Sequence, residues 1–182
     1  MSQSIIAKRY ADALFQLGKE KSKLEQFESE LQILRDVYRS NKEINTFLKH
    51  PRFSIEQKKK LVGDSFQSFS VEIVNTLKLI VERHREDIIV DMIDDYIEML
   101  NDAKGIANAD VYSVRELSEA EKQRISETFA PKVGKQSLNL TNIVDPSILG
   151  GLRLRVGNRI FDGSVSGKLR RIERQLVSAN NR

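Results

Sequence analysis

The sequence predicts a mainly α-helical protein, with an N-terminal six-helix bundle over residues 1–105 and a small α/β domain over residues 106–182. Three observations support this division. Apolar residues recur at spacings of three and four in the first part, but alternate with polar residues in the second. Six of the nine glycines lie after residue 130, and only two precede residue 105. The charge also changes, from 17 basic and 18 acidic side chains in residues 1–105 to 13 and 8 in residues 106–182.

The six helices of the first part follow from their apolar stripes. The second is the clearest, because Leu24, Phe27, Leu31, Leu34 and Tyr38 repeat at spacings of three and four and form one face. The ranges predicted in this way are about 4–19, 22–39, 42–49, 54–67, 70–83 and 86–104.

Helix-end signals set several of these boundaries. Ser54 and Gln57 are spaced as a capping box at the start of the fourth helix, and Ser70 can cap the fifth. Pro51 ends the third helix, because the residue before a proline is pushed out of the α region. Gly105 suits the C-terminal cap of the sixth.

The second part predicts strands joined by turns and two helices. Ser118 and Glu121 form another capping box, opening a helix that Pro131 ends. Gly157 and Asn158 have the composition of a two-residue hairpin turn. Strands are expected over about 107–111, 138–140, 149–156 and 159–161, with a turn at residues 145 and 146. A last helix places four apolar residues in one narrow sector, namely Val165, Leu169, Ile172 and Leu176.

The composition argues against most kinds of enzyme. The chain has no cysteine and only two histidines, which excludes thiolate metal sites and cysteine nucleophiles and argues against a zinc site. We therefore expect no catalytic residue, no cofactor and no metal ligand. The longest apolar runs have three residues, too few for a membrane span, and the N-terminal residues read as the first helix of the mature protein rather than as a secretion signal.

Two segments nonetheless invite a ligand-binding interpretation. GSVSGKL at residues 163–169 is close to a phosphate-binding loop, but three residues rather than four separate its glycines, and leucine follows the lysine. We interpret it as a helix-opening turn. Six acidic side chains share one face of the sixth helix, which could be solvated, dock on a basic surface or hold a hard cation; the solvated face is favoured. They are Asp87, Asp91, Asp94, Asp95, Glu98 and Asp102.

The basic C-terminal helix leaves several partners open. Lys168, Arg170, Arg171 and Arg174 lie opposite its apolar sector, as in a helix that binds nucleic acid or an anionic membrane. However, no aromatic residue is interleaved among these cations to stack on bases or to enter lipid. Packing plus protein contact is therefore favoured, and a nucleic-acid-binding adaptor is the alternative function.

The first and fifth helices carry more apolar surface than a single stripe requires. On a helical wheel the first is apolar over more than about 200°, whereas a surface helix needs about 100° to cover a core. In the fifth, Val71 and Leu79 fall outside the apolar face. Either both helices are buried on all sides, or they flank a groove that receives an amphipathic helix of another chain.

Two motifs of specific order and spacing lie in the first helix and in the C-terminal part. The first is RYADALF at residues 9–15, a basic residue followed by Tyr-Ala-x-Ala-Leu-Phe. The second combines VDPSILGGL at residues 144–152 with Gly157 and DGSV at residues 162–165. On these motifs the chain resembles, over nearly its whole length, the delta subunit of bacterial F-type ATP synthases, a family related to the mitochondrial oligomycin-sensitivity-conferring protein.

The resemblance implies a noncatalytic task, which is to join the catalytic head to the peripheral stalk so that the head does not turn with the rotor. It implies that the groove between helices one and five binds an N-terminal helix of an alpha subunit. The expected groove residues are Ile6, Tyr10, Ala13, Leu14, Leu17 and Leu79. The C-terminal domain is expected to meet the C-terminal region of the b subunits, through Arg170, Arg171 and Arg174. The implied location is peripheral, on the cytoplasmic face of the bacterial cell membrane.

Overall fold

The computed structural model describes residues 3–50 and 52–180 of the chain. Within these ranges the chain forms eight α-helices and one four-stranded sheet. This architecture confirms the predicted fold class. The chain divides into two compact units between Leu100 and Asn101, whereas the sequence suggested a break at Gly105.

The helices of the first unit have boundaries close to the predicted ones, and the sixth runs past Leu100. They are α1 (Gln3–Glu20), α2 (Leu24–Ser40), α3 (Lys42–Lys49), α4 (Ile55–Ser65), α5 (Val71–Glu82) and α6 (Ile89–Ala103). Helix α6 starts later than expected, because Glu86–Ile88 form a short 3₁₀ turn. The predicted stop signal Pro51 lies outside the described residues, but α3 does end just before it.

Residues of α1, α2 and α6 pack closely together around Gly18. A β-carbon here would lie 3.0 Å from Leu24 and 3.1 Å from Phe27. The hydroxyl of Tyr96 donates to the Leu24 carbonyl at 3.2 Å, and its ring meets Phe15 edge to face at 5.9 Å. Glycine is usually unfavourable inside a helix, so we attribute Gly18 to this close packing.

The second unit is a mixed sheet with a crossover helix. Its elements are β1 (Ile106–Ser113), α7 (Glu119–Phe129), β2 (Ser137–Val144), β3 (Leu152–Val156), β4 (Arg159–Asp162) and α8 (Val165–Asn180). The strand order is β2-β1-β3-β4, with β1 and β2 parallel and the other pairs antiparallel. Ile125 of α7 packs with Val111 and Leu154 on one face of the sheet. That face holds the core of this unit.

One predicted strand is shorter than expected. The strand predicted over 149–156 begins only at Leu152, because the preceding residues form a turn. Leu149 has φ +62° and Gly151 has φ +73°, both in the left-handed region that extended strands do not use. Leu149 therefore lies outside the sheet.

Of the three predicted N-terminal helix caps, two are confirmed and one is wrong. At the start of α4, Ser54 accepts a bond from the Gln57 amide and the Gln57 side chain accepts one from the Ser54 amide, which confirms the capping box. The box predicted for α7 is also present. The prediction that Ser70 caps α5 with its own side chain is wrong, because its hydroxyl donates to Glu30 at 2.9 Å.

Candidate functional site

Helix α1 has an inner apolar face and an outer one. Ala7, Ala11 and Leu14 are buried in the core of the first unit, one helical turn apart. The outer face carries four of the predicted groove residues, of which two are half-buried and two are exposed. They are Ile6, Tyr10, Ala13 and Leu17. The outer face is the part of α1 that another chain could reach.

Leu14 is a correction to the predicted groove. It is only 1 % exposed and packs among the core residues of the first unit. A side chain buried to this extent cannot line a docking surface. Apolar residues surround most of α1, so the sequence period alone did not separate its inner face from its outer one.

Helix α5 also carries apolar side chains that the core does not cover. Its inner face is buried through Ile73, Leu77 and Ile80, whereas Leu79 remains 43 % exposed. Val71, at the start of the helix, is exposed as well. The two apolar residues that fall outside the inner face on a helical wheel are therefore the two that the structure leaves uncovered.

An ion pair marks where α1 and α5 meet. Nζ of Lys21, just after α1, lies 2.5 Å from Oε1 of Glu72, and the two helices pack against each other. This hydrogen bond from Lys21 lowers the pKa of Glu72. Leu79 lies two turns after Glu72 and so occupies the same side of α5. We call Ile6, Tyr10, Ala13, Leu17 and Leu79 together the α1–α5 surface.

The second unit exposes its own apolar surface on α8. Val165, Leu169 and Ile172 follow one another along one side of the helix, and all three are exposed. Leu149 lies in the turn before β3 and is 68 % exposed. A cleft of about 310 Å³ has both Leu149 and Leu169 among its lining residues. We call Leu149, Val165, Leu169 and Ile172 together the α8 patch. Leu176 is predicted for the same stripe, but its side chain is not among those that the structure describes.

The turn that carries Leu149 is held rigidly. The amide of Val165 donates to the Gly150 carbonyl at 3.0 Å, which ties the turn to the start of α8. A β-carbon on Gly151 would lie 2.6 Å from the carbonyl oxygen of Gly163, so only glycine fits there. Sequence reasoning missed Leu149 as a surface residue, although a leucine between Asp-Pro and Gly-Gly was a usable signal.

The three predicted stalk arginines are only partly free to bind a partner. Nη2 of Arg171 donates to the carbonyl of Asp162 at 3.2 Å, and Nε of Arg174 donates to the carbonyl of Arg170 at 3.3 Å. Arg170 is exposed. These contacts make Arg171 partly a structural tie at the start of α8, while the apolar residues beside it remain uncovered.

Residues 163–169, which resemble a phosphate-binding loop in sequence, form a helix-opening turn, as their spacing predicts. Asp162 accepts hydrogen bonds from the Ser164 amide at 2.9 Å and the Ser164 hydroxyl at 2.6 Å. The Gly167 amide donates to the Ser164 oxygen at 3.0 Å. The two hydrogen bonds from Ser164, together with the positive charges of Arg153 and Arg170, lower the pKa of Asp162. The amides that a phosphate would need are therefore occupied by the chain itself.

The acidic face of α6 is partly paired within the first unit. Asp94 lies 3.2 Å from a guanidinium nitrogen of Arg35 and 3.6 Å from one of Arg39. Burial and the nearby Glu98 raise the pKa of Asp95, and Lys8 acts in the opposite direction. Across the described ranges, no three His, Cys, Asp or Glu side chains are grouped as a metal ion would require.

Two further features of the described residues concern helix hydrophobicity and the charge of the sheet. Among the described helices, none has the length and apolar character needed to cross a membrane. On the open face of the sheet, Arg153 lies 3.3 Å from Asp145, and Arg155 is paired in register with Asp110. Neighbouring carboxylates therefore offset the positive charge of this face.

Comparison with known proteins identifies the family. The family model described as "ATP synthase delta (OSCP) subunit" matches residues 6–176. A protein of Oceanobacillus iheyensis named ATP synthase subunit delta is 49 % identical over 180 residues, covering 99 % of each chain. Another of that name, from Geobacillus sp., is 48 % identical over 177 residues, covering 97 % of this chain and 99 % of the relative.

A solved structure supports the fold. A chain in the cryo-EM structure of the Toxoplasma gondii mitochondrial ATP synthase hexamer matches with a TM-score of 0.71. The two chains are 23 % identical, and the match covers 94 % of this chain and 97 % of that one. The family match over almost the full length, together with relatives of nearly half-identical sequence, shows that the chain belongs to the ATP synthase delta (OSCP) subunit family.

Proposed function

We propose that this chain joins the top of the catalytic head of an F-type ATP synthase to the peripheral stalk, and so prevents the head from turning with the rotor. As a member of the delta (OSCP) family, it is a structural stator subunit and not an enzyme. A stator transmits torque through protein contacts, so it needs two separate binding surfaces. The exposed apolar side chains of the two units are the observation that carries the proposal.

The α1–α5 surface is the proposed site for the N-terminal helix of an alpha subunit. It has the composition that receives an amphipathic helix, since two helices that pack against each other both carry apolar side chains that the core does not fully cover. Tyr10 offers the largest side chain, and aromatic anchors of this kind dominate the energetics of helix-in-groove binding. Leu14 is not part of the proposed site, because it is buried.

Calorimetric titration with a synthetic alpha-subunit N-terminal peptide tests this site. Truncating one anchor typically costs about 2 kcal/mol or more, so Tyr10→Ala and Leu79→Asp are expected to weaken binding about 30-fold. Ile33→Asp is the matched control, since Ile33 is an exposed apolar residue on α2, outside the surface. Unchanged affinity in both surface variants, with helix content intact, would rule out the α1–α5 surface.

The α8 patch is the proposed site for the C-terminal region of the b subunits. Lys168, Arg170 and Arg174 flank its apolar residues, so an amphipathic helix with acidic flanks is complementary to it. Leu149 supports a binding role, because a leucine held at φ +62° and exposed to water is strained for no benefit to the core. The arginines contribute orientation, and Leu149 and Leu169 contribute most of the apolar contact.

Binding of a soluble C-terminal b fragment separates these contributions. Leu149→Asp and Leu169→Asp are expected to abolish binding at micromolar concentration, whereas Arg170→Ala weakens it and makes it less sensitive to salt. Val114→Asp is the control, since Val114 is an exposed apolar residue outside the patch. If only the arginine variant lost binding, the interface would be electrostatic and the apolar patch would not be the site.

The complex determines the proposed location. Through the b subunits the chain lies at the cytoplasmic face of the bacterial cell membrane, held by protein contacts. The alternative of a nucleic-acid-binding adaptor has no support, since the family is a different one and carboxylates offset the arginines of the sheet. Copurification with stoichiometric alpha and b subunits from detergent-washed membranes tests the location.

A further inference from the structure

A buried carboxylate of α2 holds the start of α5. Glu30 is 8 % exposed, and its oxygens accept three hydrogen bonds. The donors are the Ser70 amide at 2.6 Å, the Ser70 hydroxyl at 2.9 Å and the Gln26 side-chain amide at 2.9 Å. Gln26 also donates to the Ser70 hydroxyl at 3.0 Å, which closes the network. Neither Glu30 nor Gln26 belongs to the proposed binding surfaces.

This network replaces an ordinary helix cap. Ser70 occupies the N-cap position of α5, where a serine hydroxyl usually accepts a bond from an amide of the first turn. Here the hydroxyl donates instead, and a negative charge from 40 residues earlier lies at the positive end of the helix. The start of α5 is therefore held by a tertiary contact and not by a side-chain cap within its own first turn.

A second tie acts at the same end of α5. Glu72, two residues after Ser70, is paired with Lys21 of the turn between α1 and α2. Lys21 is half exposed, so water and salt weaken this pair, whereas the Glu30 network is shielded from both. Glu30 is accordingly the stronger of the two constraints on the start of α5.

The constraint reaches the proposed binding surface along the helix. Leu79 lies nine residues after Ser70, about 13 Å along the axis of a rigid α-helix. A change in tilt at the start of α5 thus displaces Leu79 relative to Tyr10 and Leu17 of α1. Helix-in-groove binding depends on this spacing, because its apolar anchors must all be seated at once.

We infer that Glu30 is a positioning residue of the α1–α5 surface: it fixes the start of α5 and thereby sets the affinity for the partner helix, which it does not touch. The inference rests on the proposed function of that surface. Glu30→Gln keeps the size of the side chain but removes the charge and one acceptor. We expect it to weaken binding of the alpha-subunit N-terminal peptide about tenfold in a chain that remains folded.

The experiment combines calorimetry with amide hydrogen exchange. Exchange in Glu30→Gln is expected to rise at the first turn of α5 and to stay unchanged in α6. Glu30→Asp, which keeps the charge, is expected to recover part of the affinity. Asp36→Asn is the matched control, because it removes one charge from an exposed position on the same helix. If Glu30→Gln does not fold, Ser70→Ala removes one donor and serves in its place.

The outcomes separate the inference from the proposed function. Equal affinity of Glu30→Gln and the wild-type chain, with faster exchange at α5, would overturn the positioning role and leave the surface intact. A wild-type chain that binds no peptide would overturn both the surface and the inference that rests on it. Weakened binding together with a local change in exchange supports the inference, whereas exchange that rises throughout the bundle would make Glu30 a general stabiliser and overturn it.

Discussion

Nζ of Lys58 lies 3.4 Å from Oε1 of Glu86, and the two side chains are only 5 % and 9 % exposed. The pair joins α4 to the 3₁₀ turn before α6. Burial and the negative charge of Glu86 also raise the pKa of Tyr38 on α2. The run of three lysines at residues 58–60 suggests simple solvation, but its first member is part of the interior.

Removing one partner of this ion pair is expected to lower the free energy of unfolding more than replacing both partners. Glu86→Gln leaves the charge of Lys58 buried without its partner, so the free energy of unfolding should fall by about 3 kcal/mol. The double change Lys58→Met with Glu86→Leu replaces both groups by apolar ones and should be close to neutral. Urea unfolding followed by circular dichroism measures both, with the exposed Lys60→Gln as control. A double variant less stable than Glu86→Gln would contradict the prediction.

The two neighbours Ala13 and Leu14 should separate binding from stability. Leu14→Ala creates a cavity in the core and is expected to lower the free energy of unfolding by about 2 to 5 kcal/mol. Ala13→Asp changes an exposed position, so stability should fall only by the lower helix propensity of aspartate, less than about 1 kcal/mol, while binding of the alpha-subunit peptide weakens. Urea unfolding and calorimetry on the same preparations compare the two. Similar losses of stability in both would show that Ala13 is also in the core.

Local sequence signals predicted the fold well, because they act over a few residues. The capping box of Ser54 and Gln57 needs only a spacing of three, and the stripe of α2 needs only a period. The signals failed where the deciding partner is remote. The cap of α5 comes from Glu30, and no pattern around Ser70 could reveal it.

The candidate surfaces were less predictable for a related reason. When a helix has apolar residues on two sides, its sequence alone does not show which side faces the core. The sequence therefore predicts Leu14 on the outer side of α1, whereas it lies on the inner side. In the second unit, alternation extended the strand back to Leu149, although the positive φ of that residue ends it. Outward-facing apolar residues become visible only once the packing of neighbouring elements is known.

The turn before β3 should tolerate no side chain at Gly151. Gly151→Ala places a β-carbon 2.6 Å from the carbonyl oxygen of Gly163, a contact with rigid backbone, and also requires φ +73°. The free energy of unfolding of the second unit is expected to fall by more than about 2 kcal/mol. Hydrogen exchange in β3 and β4 measures this unit separately from the bundle. Gly134→Ala is the control, because that glycine also has a positive φ but a β-carbon there meets no atom within 4 Å.

Glu121 should make the start of α7 sensitive to acid. Hydrogen bonds from Arg115 and from Ser118 lower the pKa of Glu121 from its ordinary 4.5 to about 2. A carboxylate with a lowered pKa in the folded state stabilises that state above pH 4.5, and this contribution is lost as the pH falls through about 2.

Carboxyl titration by nuclear magnetic resonance is expected to show this low pKa directly. In Arg115→Gln the pKa of Glu121 should rise towards its ordinary value, because the largest contribution comes from the bond with that guanidinium. Lys122→Gln, which leaves that bond intact, should not change it, and a wild-type pKa near 4.5 would contradict the geometry of the cap.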